Sequence, residues 1–451
     1  MSPSIATTRL KQAASPTAES FVFRPIRLIT LAPGHFHAAL VQKRALHGVH
    51  HRAFVYGPLD SDTLAHLARI TAFNHRRESP TVWEIDLRAS GDYRERFARE
   101  TPGNTVILSG RNRPKIDLMR LAVENCLHVV ADKPWIIDHA DFPKLEELFR
   151  DAERREVIVW DMLTERFDIA NWLQREFIRD AELFGSWQCG TPQEPALTLQ
   201  SVHHLKKTVN GQQLVRPWWW FNPDISGEAM ADVGTHLADL AIWFIAPEQA
   251  VDFATQIQML SADRTPLLLS EDEFRELTHL SEYPPELQSR VVNGQFYYAG
   301  NNTATFVLRG VHVKLCTGWE FASAGGDLHQ SAARGTRAII AIRQEPTGLP
   351  QLFISATNPA EHAEVMKKLH DKCESLQREF AGLSLEESGT EGKIRIPDNW
   401  RTGHEEHFAA VMDEFVRYFY NPRAIPPWER PNALARYYIT TKAVAMASGM
   451  T

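Results

Sequence analysis

A lysine at the end of an apolar run is the first residue that could do chemistry. The segment Val129-Val130-Ala131-Asp132-Lys133-Pro134-Trp135 predicts a strand that ends in an acid, a lysine and a proline. Proline has no backbone N–H and a fixed φ, so it ends the strand and holds the lysine in place. A partly buried lysine can have a lowered pKa and can polarise a substrate hydroxyl. The alternative is an ordinary surface lysine after a strand, and this segment alone does not decide.

A second candidate group lies on a predicted helix. Asp232 and His236 are four residues apart and Asp239 follows three residues later, so all three share one helical face. Histidine titrates near neutrality and can take a hydroxyl proton while a hydride leaves the same carbon, with Asp232 orienting the ring. The alternative is an Asp–His pair that only caps and packs the helix. A neighbouring apolar stripe predicts the helix itself: Val233, Leu237, Leu240, Ala241 and Phe244.

The first part of the chain alternates strands with helices. This alternation favours βαβ units and hence a doubly wound parallel sheet. We predict a Rossmann dinucleotide-binding domain at residues 23–162, preceded by a flexible tail at residues 1–22. The predicted strands are 26–31, 53–56, 82–87, 105–108, 127–131 and 157–161, and the first predicted helix is 36–47.

Beyond residue 163 the regular alternation ends. Consecutive strands with glycine-containing turns are predicted within residues 296–343, and helices at 361–380, 405–420 and 432–447. This pattern favours an α+β domain at residues 163–451, with a large, mostly antiparallel sheet and closing C-terminal helices.

The turn after the first predicted strand is a candidate cofactor contact. Compared with the pattern G-x-G-x-x-G, it keeps only the middle glycine, Gly34, which can let the backbone approach a pyrophosphate. We therefore take Gly34, His35, Phe36 and His37 as candidate cofactor contacts. The alternative is an ordinary strand-to-helix turn, since one glycine is weak evidence. The second strand ends without an acid, so Tyr56 is the candidate that packs on an adenosine, and the choice between NAD and NADP stays open.

Several side chains near the Asp232 helix are candidate substrate contacts. Trp219 belongs to an aromatic run just before that helix and could pack on the C–H face of a sugar, although aromatic clusters are more often core. His203 and His204 point to opposite faces if they lie on a strand, so one of them could line a pocket. No carboxylate or cysteine lies at ligand spacing from them, and no metal is predicted. Asp327 and His329 are weaker candidates on a predicted loop.

Composition disfavours several classes of protein. The 451 residues have a formal net charge of -7, which argues against a nucleic-acid partner. The 4 cysteines share no short spacing, so neither a zinc knuckle nor a disulfide framework is predicted. No apolar stretch is long enough for a secretory signal or a membrane span. We therefore predict a cytoplasmic protein with no membrane partner.

Taken together, the two motifs resemble the glucose–fructose oxidoreductase and inositol dehydrogenase family, Gfo/Idh/MocA. That family has an (A/G)-E-K-P motif after its fifth strand, matched by Ala131-Asp132-Lys133-Pro134. Its second domain has a G-G-x-x-x-D-x-G-x-H-x-x-D helix, matched by Gly227 to Asp239. More narrowly, five short runs look like a branch of oxidoreductases with their own C-terminal domain: residues 33–37, 132–134, 164–166, 201–204 and 403–408.

The resemblance implies an NAD(P)-dependent oxidoreductase, with NAD slightly favoured, that acts on a carbinol carbon of a sugar, glycoside or polyol. It implies that Lys133 touches cofactor and substrate, that Asp232 binds a substrate hydroxyl and that His236 is the acid–base. The active site would lie between the two domains, and the protein would be a homodimer or homotetramer.

The resemblance also implies further cofactor contacts and leaves alternatives open. Asn112 takes the place of a nicotinamide-side residue of the family, and Asp132 and Pro134 flank the lysine. The changed glycine turn is the main departure and puts ordinary cofactor exchange in doubt. The alternatives are an NAD-recycling glycosidase or epimerase acting through a transient keto-sugar, a non-catalytic sugar- or NAD-binding protein, and a metal-dependent lyase or isomerase.

Overall fold

The computed structural model describes residues 25–209, 212–323 and 326–449. The predicted tail at residues 1–22 lies outside the described residues. The chain divides into two compact units. The first unit comprises the chain up to residue 136, together with 140–167 and 402–426; the second comprises 137–139, 168–401 and the chain from 427 onwards.

The first unit contains a 6-stranded sheet in the order β3-β2-β1-β4-β5-β6. The pairings described for it are all parallel, for example Ile29 beside Phe54 and beside Val106. The central strands β1 and β4 are apolar and buried, as expected for a sheet covered on both faces, whereas the edge strand β3 is partly exposed. The strands are β1 Leu28–Leu31, β2 Arg52–Gly57, β3 Glu84–Ala89, β4 Thr105–Leu108, β5 His128–Ala131 and β6 Val159–Asp161.

Short helices connect these strands. The first helix ends after one turn, whereas the sequence predicted a helix over residues 36–47. Asp60 caps the second helix by accepting from Thr63 N at 3.0 Å, which satisfies one otherwise unpaired N–H. The helices are α1 His37–Leu40, α2 Ser61–His75, α3 Tyr93–Glu100, α4 Lys115–Glu124 and α5 Phe142–Arg154.

The second unit is built on a 10-stranded sheet in the order β10-β12-β13-β7-β14-β15-β16-β18-β17, with β11 beside β12. Only the β13–β7 pairing is parallel among those described for this sheet. The strands of this sheet are β7 Leu197–His204, β10 Ile257–Leu269, β11 Val291–Val292, β12 Gln295–Leu308, β13 Val311–Glu320, β14 Leu328–Arg334, β15 Ala338–Arg343, β16 Gln351–Ala356, β17 Ser384–Ser388 and β18 Glu391–Arg395. The short strands β8 Thr208–Val209 and β9 Gln212–Gln213 pair with each other in a separate two-stranded sheet.

The longest helices of the second unit pack on this sheet and on each other. Helix α8 is buried along nearly its whole length because its residues are almost all apolar or small. The remaining helices in chain order are α6 Ile169–Ile178, α7 Pro223–Ser226, α8 Ala229–Ile245, α9 Phe253–Gln256, α10 Glu271–Thr278, α11 His362–Gln377, α12 His404–Tyr420 and α13 Glu429–Ala447; α12 belongs to the first unit.

The predicted fold class is confirmed: a doubly wound parallel sheet is followed by an α+β region with a large, mostly antiparallel sheet. Residues 402–426 are a difference from the predicted domain layout, which placed them in the second domain. They return to the first unit because apolar side chains of α12, including Phe408 and Phe415, pack with residues of the parallel sheet. None of the helices in the described part of the chain has both the length and the apolarity of a membrane span.

Candidate active site

The carboxyl end of β5 holds a buried carboxylate on which three side chains converge. Nδ1 of His37 lies 2.9 Å from Oδ2 of Asp132, and Nδ1 of His35 lies 3.3 Å from the same oxygen. Ser109 Oγ donates to that oxygen at 2.8 Å. The turn after β1 (His35 and His37) and the residue after β4 (Ser109) therefore contact Asp132, the acid that precedes Lys133.

The turn after β1 is tied to the end of β4. The N–H groups of Gly34 and His35 both donate to Ser109 O at 3.1 Å. Gly110 allows this approach, because a Cβ there would lie 2.4 Å from Ala32 O. The sequence analysis predicted these turn residues as cofactor contacts. In the structure, two of their N–H groups are already hydrogen-bonded to a protein carbonyl.

A buried lysine that the sequence analysis missed fastens the neighbouring loops. Lys115 is 1% exposed, and its Nζ donates to Asn112 Oδ1 at 2.7 Å, Asp132 O at 2.7 Å and Pro134 O at 3.0 Å. Asn112, Asp132 and Pro134, three predicted cofactor contacts, are thus held by one ammonium. A lysine in the first turn of a helix is usually exposed, so nothing in the sequence distinguished Lys115.

Lys133 is only partly buried and follows this cluster. Burial, then the neighbouring His35, lowers the pKa of His37 to about 3, and the charge of Lys133 adds to this lowering. The imidazole of His37 is therefore neutral at neutral pH, and Lys133 lies within electrostatic reach of it. Phe36, predicted with these histidines, packs its ring 4.5 Å from His35 and 4.4 Å from His37.

Tyr56 lies at the carboxyl end of β2, and its carbonyl accepts from Ala32 N at 2.7 Å, but its side chain is directed into the protein. That side chain is fully buried, its ring packs against Phe97 at 5.9 Å, and its hydroxyl donates to Glu100 Oε2 at 2.7 Å. Burial, then that hydrogen bond to the carboxylate, raises the pKa of Tyr56. Its packing on an adenosine stays a prediction.

In the second unit, α8 holds Asp232, His236 and Asp239 on one face, as the spacing predicts. Asp232 is partly buried, and His236 is 8% exposed. Asp239 forms a buried ion pair with Arg436 of α13, whose Nη1 lies 2.6 Å from Oδ1. The third member of the predicted stripe is therefore paired within the protein.

Glu228 and Asn302 position the start of α8. Asn302 accepts from Met230 N at 3.1 Å and donates to Glu228 Oε2 at 3.0 Å. Gly227 precedes them with a φ of +83, a conformation that L side chains rarely adopt. The turn at Gly227 and the Asn302 amide together fix the backbone at the start of α8, and Asp232 lies in the first turn of that helix.

Two strand ends of the second unit build a Ser–His–Asp arrangement. Nδ1 of His203 lies 3.1 Å from Asp327 Oδ2, and its Nε2 lies 3.0 Å from Ser201 Oγ. A carboxylate only accepts, so the neutral ring carries its proton on Nδ1 and leaves Nε2 as a base. Burial opposes ionisation of Asp327, but His203 and Lys207 hold its pKa well below the ordinary value.

His204, the other predicted contact on β7, is buried. Its Nε2 lies 3.4 Å from Glu320 Oε2, and its backbone N–H donates to Asp327 Oδ1 at 3.2 Å. His203 is the more exposed of the two, with a quarter of its side chain accessible. His329 also faces inward, with Nε2 2.9 Å from Asn171 Oδ1.

Arg216 links these groups to Asp232. Its guanidinium lies over the Trp220 ring at 4.4 Å and the Trp319 ring at 5.2 Å. Burial lowers the pKa of Arg216 to about 10, while Tyr298, Asp327 and Asp232 act in the opposite direction. Trp319 also packs 5.0 Å from the His203 ring. Tyr298 of β12, Asp327 and Asp232 of α8 thus lie within electrostatic reach of one cation.

Trp219 is 3% exposed and belongs to a buried aromatic cluster that includes Phe221 and Phe296. Its role as a sugar contact stays a prediction. The functional groups that sequence reasoning did not single out are Ser109, Lys115, Ser201, Arg216 and Tyr298. Their only sequence signal is position beside a motif, because none has a characteristic spacing of its own.

Comparison with known proteins identifies the family. The family described as "Putative oxidoreductase C terminal domain" matches residues 173–448, more than half of the chain. A solved structure from Parabacteroides merdae, described as a putative oxidoreductase, is 36% identical and has a TM-score of 0.92, covering 96% of this chain and 100% of that chain. The chain belongs to this oxidoreductase family, and the predicted resemblance is confirmed.

More distant structures share the fold. A levoglucosan dehydrogenase in complex with NADH and levoglucosan has a TM-score of 0.60 at 11% identity, covering 95% of this chain and 98% of that chain. A 3-ketoreductase from Actinomadura kijaniata in complex with NADP has a TM-score of 0.54 at 13% identity, covering 94% and 98%. No curated protein matches the sequence.

Proposed function

We propose that this protein is an NAD(P)-dependent oxidoreductase that transfers a hydride between the nicotinamide and a carbinol carbon of a sugar, glycoside or polyol. NAD is the favoured cofactor. The observation that carries the proposal is the Asp232–His236 pair on α8, in the same unit as the polar side chains of His203 and Arg216. Family membership and the cofactors of the distant structures support it.

The first unit fits a dinucleotide in its strand order. β1 lies between β2 and β4, so its carboxyl end is the switch point at which such sheets bind ligands. Two N–H groups of the turn are bonded to Ser109 O, so a pyrophosphate there would meet side chains such as His35. A nicotinamide cofactor would supply the hydride acceptor or donor, and Lys133, Pro134 and Asn112 would hold its reactive end.

His236 would exchange the proton of the reacting hydroxyl. Histidine side chains ordinarily titrate near neutral pH. A histidine can therefore accept that proton as hydride leaves the carbon, and can return it in the reverse reaction. Asp232, one turn earlier, would bind a neighbouring hydroxyl and orient the substrate. Lys133 would place its positive charge beside the substrate oxygen on which negative charge develops. This lowers the activation barrier most when the ammonium is already in position before the reaction.

Mass spectrometry of nucleotide released from the purified, denatured protein tests cofactor binding, and turnover tests the roles. Lys133→Ala and His236→Ala should each reduce NAD(P) reduction with a panel of polyols and glycosides by ~10²-fold or more. Lys144→Ala, at a partly exposed site, and His51→Ala, at an exposed site, are the controls. Near wild-type rates in both site variants would refute the assigned roles.

A second candidate function is glycoside cleavage or epimerisation with the nicotinamide recycled in each turnover. The observation that favours it is the Asp327–His203–Ser201 arrangement, which provides a second acid–base group in the unit that holds His236. Release of nitrophenol from aryl glycosides without net NADH would support this function. Net NADH in proportion to product would support the simple dehydrogenase instead.

We further propose a homodimer or homotetramer in the cytoplasm, in which the free face of the large sheet pairs with another copy. Side chains of β13 alternate between buried and less buried, as expected for a sheet covered on one face. Light scattering coupled to size-exclusion chromatography tests the assembly, and a monomer at micromolar concentration would refute it.

A further inference from the structure

We propose that His35, His37 and Asp132 bind a divalent transition-metal ion at the first turn of the parallel-sheet unit. Each of the three offers one ligand atom, and these atoms lie within 4.8 Å of one another. The sequence analysis took these three residues as cofactor contacts, and the proposed function does not require a metal ion there.

The separations suit coordination. Tetrahedral ligands at about 2.0 Å from a zinc-like ion are separated from each other by roughly 3.3 Å. The imidazole nitrogens of His37 and His35 lie 2.9 and 3.3 Å from Asp132 Oδ2. A small shift of one ring would therefore centre an ion among the three groups.

The hydrogen bonds of this cluster are unequally shared between the two carboxylate oxygens of Asp132. His35, His37 and Ser109 all approach the same oxygen, Oδ2, whereas Oδ1 of Asp132 is buried and has no hydrogen-bond partner. Asp132 is only 3% exposed, so water does not easily compensate. Leaving a buried carboxylate oxygen unpaired is costly. A cation between the rings and the carboxylate would engage the imidazole lone pairs and the negative charge together.

A fourth residue supports the ring of His37 from behind. Nε2 of His404, at the start of α12, lies 3.4 Å from Nε2 of His37, and the Phe408 ring packs 4.3 Å from the same ring. A metal-bound histidine commonly uses its second ring nitrogen in a hydrogen bond that fixes its orientation. His404 lies at the second ring nitrogen of His37, where such a hydrogen-bond partner is expected.

The donor set indicates the class of ion. Two imidazoles and one carboxylate suit zinc, iron(II), cobalt(II) or manganese(II), whereas calcium and magnesium prefer oxygen ligands alone. Three protein ligands would leave coordination positions for water or an anionic group.

Cobalt(II) is the probe for the test. The purified full-length protein is treated with chelator and titrated with Co²⁺, followed by calorimetry and by visible absorption. We expect one bound equivalent, with competition by Zn²⁺. Asp132→Asn, His35→Ala and His37→Ala should each lose stoichiometric binding, and His404→Gln should weaken it by ~10–100-fold.

His75→Ala, at an exposed histidine of the same unit, is the matched control and should bind as the wild type does. His35→Ala keeps the test valid if His37→Ala does not fold, because a quarter of the His35 side chain is exposed. No binding of Co²⁺ or Zn²⁺ by the folded wild type, or unchanged binding by Asp132→Asn, would overturn the proposal. The titration needs no substrate, so its result is separate from the test of hydride transfer.

Discussion

Lys115 is buried among oxygens, and its surroundings determine its contribution. Its ammonium satisfies Asn112 Oδ1 and the carbonyls of Asp132 and Pro134. These contacts join the loop after β4 to the loop after β5, so they support the position of Lys133. The stabilisation belongs to the network, because the buried carbonyls of Asp132 and Pro134 share this one donor.

Removing that ammonium should destabilise the first unit. Lys115→Met keeps most of the side-chain length and leaves the acceptors unpaired, so we expect a loss of roughly 2–3 kcal/mol in the free energy of unfolding. Urea denaturation measures the loss, with Lys144→Met as a partly exposed control. A loss no larger than that of the control would mean that water replaces the ammonium.

His66 predicts a dependence of stability on pH. Both its ring nitrogens are buried without hydrogen-bond partners, and burial, then the charge of Arg69, lowers its pKa from 6.5 to about 4. Between these values the unfolded chain binds a proton that the folded chain does not, so this contribution to stability falls as pH falls. At pH 5 the loss is about 2 kcal/mol relative to neutral pH.

His66→Leu should remove this dependence. Urea denaturation at each pH measures the free energy of unfolding. As the pH is lowered from 7.5 to 5, we expect this free energy to increase for the variant relative to the wild type. His75→Leu, at an exposed histidine, should show no such gain. Parallel pH profiles for His66→Leu and the wild type would contradict the assignment.

Helix α8 shows how one helical face divides into different roles. The sequence places Asp232, His236 and Asp239 on the same face, and the structure pairs Asp239 with Arg436 of α13. Both side chains of that pair are at most 2% exposed. The last acid of the motif therefore joins two helices of the second unit.

Breaking this pair should be more harmful than replacing it. Asp239→Ala leaves a buried, uncompensated guanidinium, and we expect a loss of roughly 3–5 kcal/mol. The double variant Asp239→Leu/Arg436→Met should recover most of that loss, because neither charge remains. Thermal and urea unfolding measure both effects, and a double variant less stable than the single one would refute the explanation.

At the scale of the whole molecule, the chain leaves its first unit and returns to it. Helix α12 packs Phe408 and Phe415 with sheet residues such as Ile107 and Val130 in one buried cluster. The second unit has its own aromatic cluster, which includes Phe296. Each unit therefore has a separate core, although the first is discontinuous in sequence.

This arrangement predicts a local effect of a distant substitution. Phe415→Ala creates a cavity in the first core and should cost roughly 3–5 kcal/mol there. Hydrogen exchange should accelerate in β1, β4 and β5 while β7 and β13 keep their protection. Phe296→Ala should show the reverse pattern, and uniform acceleration by either variant would mean that the units unfold together.

The sequence alone predicted the fold class, the family and the two motifs. These features depend on local order: periodicity identifies strands and helices, and the spacing of Asp232 and His236 is a property of one helix. It also placed Lys133 and Asp132 together because they are neighbours in the chain. The comparison with known proteins confirms the family and the fold class.

Only the tertiary structure decided which of these polar groups are already paired. It placed His35 and His37 on Asp132, Asp239 on Arg436, Asp327 on His203, and Tyr56 in the interior. It also returned α12 to the first unit. These outcomes depend on contacts between residues far apart in the chain, and local spacing does not specify which distant side chain fills a buried position or satisfies a buried charge.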